Sequence, residues 1–195
     1  MKKLLLTHEL FTEKICNGTY SALKLLIESC YYSQISSLIV KGTIGDMAWW
    51  KEYCTIRMTC SRGSGHTSAL AKVIPEYFNK SLILCVNQDI AERTCGIFAR
   101  TYSAQMEGKK TITFNGESLL TGESLLKQTK YKIITENSEY DFATVNSLDN
   151  YKGMDFQAIV VDVACMLSNN KIDEIYERMG PSMQKHSENF FIFVE

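Results

Sequence analysis

The sequence predicts an α/β domain with a doubly wound, mainly parallel sheet of about five strands and helices on both faces. A short strand, a glycine-rich turn, a helix and a second apolar strand follow one another between residues 55 and 86, and this order implies parallel strands. Two further apolar segments, residues 158–162 and 190–194, continue the pattern. A chain of 195 residues that is 45% hydrophobic can bury one sizeable core.

The residues before the glycine-rich turn are predicted to be helical. Apolar residues recur every three to four positions over residues 8–16 and 19–33, as in helices, and Asn17-Gly18 predicts a turn between them. We expect residues 1–44 to form an N-terminal helical segment packed on a core domain of residues 45–195. In that domain the pattern predicts a strand at 55–60, a helix at 66–79, a strand at 81–86 and a helix at 89–103.

Residues 106–140 interrupt the alternation of strands and helices. They are polar and contain glycines, so we interpret them as an insertion with a hairpin formed by residues 111–114 and 131–135. Beyond the insertion, the pattern predicts strands at 142–146, 156–162 and 190–194, and a helix at 171–179 that stops at Gly180-Pro181.

Composition narrows the class of protein. Lys and Arg number 21 and Asp and Glu 22, a net charge of −1, which argues against a generally basic nucleic-acid coat. Neither a signal peptide nor a membrane-spanning apolar run is evident. The seven cysteines are scattered and never spaced C-x-x-C, which favours reduced thiols in a cytoplasmic protein over a disulfide framework or zinc site.

The glycine-rich turn resembles a phosphate-binding loop that lacks its lysine. Gly65 and Thr67 fit the pattern G-x-x-x-x-G-K-[ST], whereas His66 occupies the lysine position and Cys60 that of the first glycine. In such a loop, backbone N–H groups and the start of the following helix bind phosphate. The predicted phosphate-binding residues are Ser61, Arg62, Gly63, Ser64, Gly65, His66, Thr67 and Ser68. An ordinary glycine turn before a helix is the alternative.

Asp162 is the second candidate site residue. It ends the apolar strand 158–162, and the carboxyl edge of a parallel sheet is where a carboxylate faces bound phosphates. We expect the Thr67 hydroxyl and the Asp162 carboxylate to bind Mg²⁺ together. An aspartate that caps a loop is the alternative, but the order of the two features favours a nucleotide site.

These segments carry a family resemblance. Residues 61–67 resemble the arginine-containing Walker A loop of phage terminase large-subunit ATPase domains and superfamily 2 helicases, and residues 146–162 resemble their Walker B region. The resemblance spans residues 45–195 and implies a P-loop NTPase of the RecA-like (ASCE) class that uses ATP and Mg²⁺. It also implies that Trp49, Trp50 or Tyr53 could pack on adenine, although core packing would equally explain both tryptophans.

Two departures from the family pattern affect catalysis. His66 replaces the lysine that follows the phosphates into the transition state, and Val163 replaces the glutamate that activates water. Since positioning and charge stabilisation provide nearly all of this catalysis, hydrolysis should be slow. Arg62 could partly replace the lysine and act with Asp162 as a catalytic residue, or could instead form a salt bridge.

The sequence therefore supports two functions. One is an ATP-binding protein of DNA metabolism, in packaging, replication or a helicase-like process, with weak or partner-dependent hydrolysis. The other is a degenerate fold that acts as an adaptor or inhibitor. We expect neither a second RecA-like domain nor a nuclease domain from these residues, so a motor role would need self-assembly or a motor, nuclease or replication partner. Lysines of the insertion could contact DNA or simply be solvated.

Overall fold

A computed structural model describes residues 8–60, 64–106, 111–114, 117–120, 125–183 and 189–194. The helices are α1 (His8–Ile44), α2 (Asp46–Tyr53), α3 (His66–Tyr77), α4 (Gln88–Met106) and α5 (Asn169–Met183). The strands are β1 (Thr55–Met58), β2 (Lys80–Cys85), β3 (Thr111–Phe114), β4 (Glu117–Leu120), β5 (Leu125–Thr129), β6 (Lys132–Thr135), β7 (Glu139–Thr144), β8 (Ala158–Asp162) and β9 (Phe190–Val194).

Seven of these strands form one sheet in the order β1-β9-β8-β2-β7-β6-β5. The first five are parallel to one another, whereas β6 and β5 extend the sheet with antiparallel pairing. The prediction of a mainly parallel sheet with about five core strands is confirmed. The strand bounds differ slightly from the predicted ones. Strand β7 begins three residues before its predicted start, and β8 begins two residues after its predicted start.

Helices cover both faces of the sheet, which confirms the doubly wound arrangement. Alternate residues of the central strands point to opposite faces. Ile83, Val160 and Ile192 belong to the core cluster beneath α1, α3 and α4. Their neighbours along the strands, including Ile159 and Phe191, belong to the cluster beneath α2 and α5. Every residue of β8 and β9 is buried, as expected for strands covered on two faces.

The predicted turn at Asn17-Gly18 is wrong, because α1 continues through it as one helix of 37 residues. Asn17 and Gly18 are exposed, and a Cβ at Gly18 would touch nothing. Buried side chains after Gly18, such as Leu23 and Ile27, pack this part of the helix on the core. Tertiary packing therefore outweighs the roughly 1 kcal/mol by which glycine disfavours a helix.

The predicted pairing within the insertion is also wrong. Residues 111–114 pair with the adjacent β4 in a separate two-stranded sheet, and not with residues 131–135. Strand β6 instead pairs with β5 and β7 at the edge of the main sheet. In both cases the partner is the nearest strand in sequence, which costs the least loop-closure entropy.

Helix α5 does not stop at Gly180-Pro181, as the sequence predicted, but ends at Met183. Proline removes one N–H group from the helix, and it lies here in the last turn, where little helix follows. Gly180 is required for packing, since a Cβ at this position would overlap the ring of Trp50. Buried contacts with α2 thus stabilise α5 beyond Gly180 and Pro181, two residue types that normally end a helix.

Candidate functional site

The parallel register brings the start of the glycine-rich turn and Asp162 to one edge of the sheet. Met58 at the end of β1 pairs with Val194 of β9, and Val194 pairs with Asp162 of β8. Adjacent strands are about 4.8 Å apart, so two strand spacings separate the last residue of β1 from Asp162. The carboxyl ends of β1, β9 and β8 therefore form one surface below the start of α3.

Gly65 connects this edge to α3. It is the N-cap of the helix with φ 69° and ψ 25°, and no described side chain caps the helix by a hydrogen bond. This left-handed backbone favours glycine. Ser64 beside it is buried, and its carbonyl accepts a hydrogen bond from Thr19 Oγ1 of α1 at 3.2 Å. The backbone N–H groups in the first turn of α3 therefore have no side-chain cap among the described residues, and N–H groups at a helix start are the kind that bind phosphate.

Thr67 and Asp162 lie in direct contact. Thr67 Oγ1 donates a hydrogen bond to Asp162 Oδ2 at 3.2 Å, across 95 residues of sequence. The Asp162 side chain is 1% exposed. Mg²⁺ prefers oxygen ligands and is commonly bound by one or two protein groups together with phosphate oxygens and water. The hydroxyl and the carboxylate therefore fit a Mg²⁺ site that would be completed by a nucleotide.

His66 turns toward the same carboxylate. Its Nε2 atom lies 3.2 Å from Asp162 Oδ1, and its Nδ1 atom lies 3.4 Å from Ser64 Oγ. The contact with Oδ1 lacks hydrogen-bond geometry, so this buried oxygen accepts no hydrogen bond from the described residues. Buried carboxylate oxygens usually have a donor or a cation. Oδ1 therefore faces the site with its acceptor capacity unused.

Thr94 of α4 is a contact that the sequence did not predict. Its buried Oγ1 donates to Asp162 Oδ2 at 3.3 Å, so hydroxyls from two helices converge on one carboxylate oxygen. Burial raises the pKa of the nearby Cys85 thiol to about 12, and the negative charge of Asp162 adds to this shift. No sequence motif marks Thr94, because only the packing of α4 on the sheet brings it to β8.

Val163 follows Asp162 in a strained conformation. Its φ of 65° makes it the one residue other than glycine with positive φ among those that the structure describes. The left-handed region is unfavourable for a β-branched residue by roughly 1–2 kcal/mol. The strain lies at the position where the family resemblance places the water-activating glutamate, and Val163 has no group that could replace it.

The structure places the remaining predicted residues as follows. Ser61, Arg62 and Gly63 lie outside the described residues, and Ser68 lies in the first turn of α3, partly exposed.

Trp50 does not reach the site. Its indole is 4% exposed and packs 6.4 Å from Phe191, and its carbonyl accepts from Thr55 at the start of β1. Core packing explains this residue, since the glycine loop leaves the opposite end of β1.

The lysines and cysteines whose side chains the structure describes form no second site. Lys130 pairs with Glu92, and Lys132 with Glu139 and Asp141, while the side chains of Lys109, Lys110 and Lys127 lie outside the description. The cysteines with described side chains are free thiols. In the part of the chain that the structure describes, no cluster of His, Cys, Asp and Glu could hold a metal by itself, and no helix is long and apolar enough to span a membrane.

The strand order, Gly65 at the start of α3 and the acid at the end of β8 agree with the α/β fold class that the sequence predicts. The fold is similar to the large terminase ATPase domain of Thermus phage P74-26, at 14% identity over 77% of this chain and 62% of that one, with a TM-score of 0.47. For a mutant of that domain the coverage is 77% and 63%, with a TM-score of 0.49.

The large terminase of a thermophilic bacteriophage is similar at 12% identity, over 76% of this chain and 37% of that one, with a TM-score of 0.47. The chain thus spans less than two thirds of the length of each of these terminase chains. No protein-family model and no curated protein matches the sequence.

Proposed function

We propose that this protein binds Mg²⁺-ATP and acts in DNA metabolism, in a process such as genome packaging, replication or helicase-like remodelling, with weak or partner-dependent hydrolysis. The single observation that carries the proposal is the hydrogen bond between Thr67 and Asp162 beside the start of α3. A structural scaffold has no need for a buried carboxylate at this sheet edge, whereas a nucleotide site does.

Each residue would have a distinct role. Backbone N–H groups at the start of α3 would bind the phosphates, and Gly65 would allow their close approach. Thr67 and Asp162 would hold Mg²⁺, and Thr94 would position the Asp162 carboxylate through its hydrogen bond. The bound ion would neutralise charge on the phosphates. Arg62 would supply a cation to the γ-phosphate in place of the missing lysine.

Slow hydrolysis follows from the same residues. His66 contacts Asp162, so its ring is turned toward the metal ligand, and its imidazole is shorter than a lysine side chain. Val163 provides no base. A DNA or protein partner could supply a missing catalytic group, as an arginine finger does in other NTPases. The DNA process itself rests on the family resemblance.

An adaptor or inhibitor without nucleotide turnover is the second candidate. The contact between His66 and Asp162 favours it, because a resident side chain already occupies part of the space around the metal ligand. On this hypothesis the fold is retained for binding a protein partner. Nucleotide, if bound at all, would then stabilise the fold without being consumed.

Calorimetric titration with Mg²⁺-ATP, paired with a turnover assay with and without DNA, tests the proposal. We expect binding by the native chain and its loss in Gly65→Val, which adds a side chain to the left-handed cap, and in Asp162→Ala. The absence of heat at millimolar ATP would overturn nucleotide binding. Binding without turnover in the presence of DNA would support the adaptor. Glu52→Ala, which removes an exposed carboxylate of α2 before the start of β1, at the opposite edge of the sheet, is a suitable control.

A further inference from the structure

His66 binds no part of the nucleotide in the proposed function, yet its ring is held inside the candidate site. The residue begins α3 directly after Gly65, and its side chain is 23% exposed. A histidine that only filled the place of a lost lysine could turn toward solvent. The ring has a polar contact at each of its two nitrogens instead, and these contacts indicate a role for it.

The two ring nitrogens have different surroundings. Nδ1 lies 3.4 Å from Oγ of Ser64, a residue that is 6% exposed and whose carbonyl accepts from Thr19. Nε2 lies 3.2 Å from Asp162 Oδ1. When Nδ1 donates its hydrogen to Ser64, Nε2 carries the lone pair of the ring. Metal-binding histidines have this arrangement, in which one nitrogen donates to a polar group of the protein and the other binds the ion.

The contact between Nε2 and Oδ1 is not an ordinary hydrogen bond. A charged imidazole paired with Asp162 would direct an N–H at Oδ1, but the contact lacks hydrogen-bond geometry, and Oδ1 accepts from none of the described residues. Two acceptor atoms at 3.2 Å repel each other unless a cation lies between them. The Asp162 side chain is 1% exposed, so water compensates its charge poorly. A bound cation would satisfy both atoms.

The separation of the two atoms fits two ligands of one metal ion. Bonds from nitrogen or oxygen to Zn²⁺ or Mg²⁺ are about 2.1 Å long. Two ligands at 90°, as in an octahedral site, then lie about 3.0 Å apart, and two at the tetrahedral angle lie about 3.4 Å apart. The 3.2 Å between Nε2 and Oδ1 falls between these values. One ion could therefore contact both atoms with little movement of either.

We propose that His66 Nε2 and Asp162 Oδ1 together bind the cation of the nucleotide site, and that the nitrogen ligand makes this site prefer a divalent transition-metal ion over Mg²⁺. Magnesium prefers oxygen ligands, whereas imidazole suits the first-row ions from Fe²⁺ to Zn²⁺. Thr67 Oγ1, which contacts the other oxygen of the same carboxylate, remains a further oxygen ligand.

The proposal rests on the proposed nucleotide function, because the protein ligands alone are too few. Within the described part of the chain, no group of three His, Cys, Asp or Glu side chains could hold a metal. Phosphate oxygens and water would complete the coordination, as they commonly do around a metal bound with a nucleotide. We therefore expect the metal preference to be measurable in the affinity for ATP.

Calorimetric titration of the full chain with ATP, in saturating Co²⁺ or Mg²⁺, tests the preference. We expect ATP to bind the native chain at least about tenfold more tightly with Co²⁺, since even changes beyond the direct ligands alter metal affinity by this factor. His66→Phe keeps a planar ring, removes both nitrogens and should lose this ratio. An equal ratio in the native chain and in His66→Phe would overturn the proposal.

His8→Phe is the matched control for this titration. It makes the same substitution at the first residue of α1, roughly 16 Å along the helix from Thr19, and should keep the native ratio of affinities. Loss of the ratio in both variants would overturn the assignment to His66. Unfolding midpoints equal to that of the native chain would confirm that both variants remain folded.

Nuclear magnetic resonance of the native chain with Co²⁺ and ATP tests the ligand directly and does not depend on how a variant folds. Co²⁺ is paramagnetic and moves the ring-proton signals of a bound imidazole far outside their ordinary range. We expect one such set of histidine signals in the native chain and in His8→Phe, and its loss in His66→Phe. A native chain without these signals, although ATP and Co²⁺ are bound, would overturn the proposal.

Failure of the nucleotide function and failure of the His66 ligand give different results. Absence of ATP binding with either metal would overturn the nucleotide function and, with it, the metal preference. ATP binding with the same preference in the native chain and in His66→Phe would overturn the role of His66 alone and leave the nucleotide function standing.

Discussion

Asp162 is the residue on which the candidate site depends. Thr67 of α3 and Thr94 of α4 hold one of its oxygens, and the His66 ring lies next to the other. Sequence reasoning could identify Thr67 and Asp162, because their positions follow from a motif and from the end of an apolar strand. Thr94 and the orientation of His66 could not be identified, because both depend on how two helices pack against β8.

Replacement of His66 by lysine tests whether this residue occupies the lysine position of the loop. We expect His66→Lys to tighten Mg²⁺-ATP binding about tenfold, since a charge-assisted hydrogen bond to phosphate is worth roughly 1.5–3 kcal/mol before side-chain ordering is subtracted. The measurement is calorimetric titration. His66→Gln removes the imidazole without adding a charge and should bring no such gain. Unchanged affinity in His66→Lys would show that residue 66 does not face the phosphates.

The strain at Val163 has a consequence for stability that a comparison of two variants isolates. Both Val163→Ala and Val163→Gly remove the valine side chain, but only glycine tolerates φ of 65° without a penalty. We expect the glycine variant to be more stable than the alanine variant by about 1 kcal/mol. Chemical denaturation measures the difference. The opposite order, which holds at ordinary backbone angles, would contradict the left-handed conformation.

At the scale of elements, buried contacts explain where the sequence-based predictions were right and where they were wrong. The strands β2, β8 and β9 were predicted closely because they are short apolar runs with clear ends. Continuation of α1 through Gly18 and of α5 through Gly180-Pro181 was missed, because local signals for a turn were outweighed by contacts with the core. The insertion was mispaired, since alternation of polar residues does not specify a partner strand.

The packing of α5 on α2 is tested by adding one methyl group. Gly180→Ala should destabilise the fold by about 1–3 kcal/mol, because the new Cβ would overlap the buried Trp50 ring in a core without spare volume. Urea denaturation measures the change. Gly96→Ala in α4 is the matched control: its Cβ would meet no atom within 4 Å, so it should stabilise by about 0.5–1 kcal/mol. Equal effects would contradict the close approach.

At the scale of the whole molecule, one edge of the sheet holds the candidate site, and α1 contacts the chain just before α3. The carboxyl ends of β1, β9 and β8 meet below α3, while Thr19 of α1 holds the carbonyl of Ser64 next to the loop. The general arrangement of the sheet follows from the order of elements in the sequence, whereas the link from α1 to the loop required the three-dimensional structure.

The most direct test of the central claim, that Thr67 and Asp162 form a Mg²⁺ site for bound ATP, is the Mg²⁺ dependence of ATP affinity in the native chain and in Thr67→Val. Valine keeps the shape of threonine and removes the hydroxyl. We predict that Mg²⁺ tightens ATP binding to the native chain at least tenfold over binding in EDTA, and that Thr67→Val loses this gain while its affinity in EDTA is unchanged. Equal Mg²⁺ dependence in the two proteins would contradict the account.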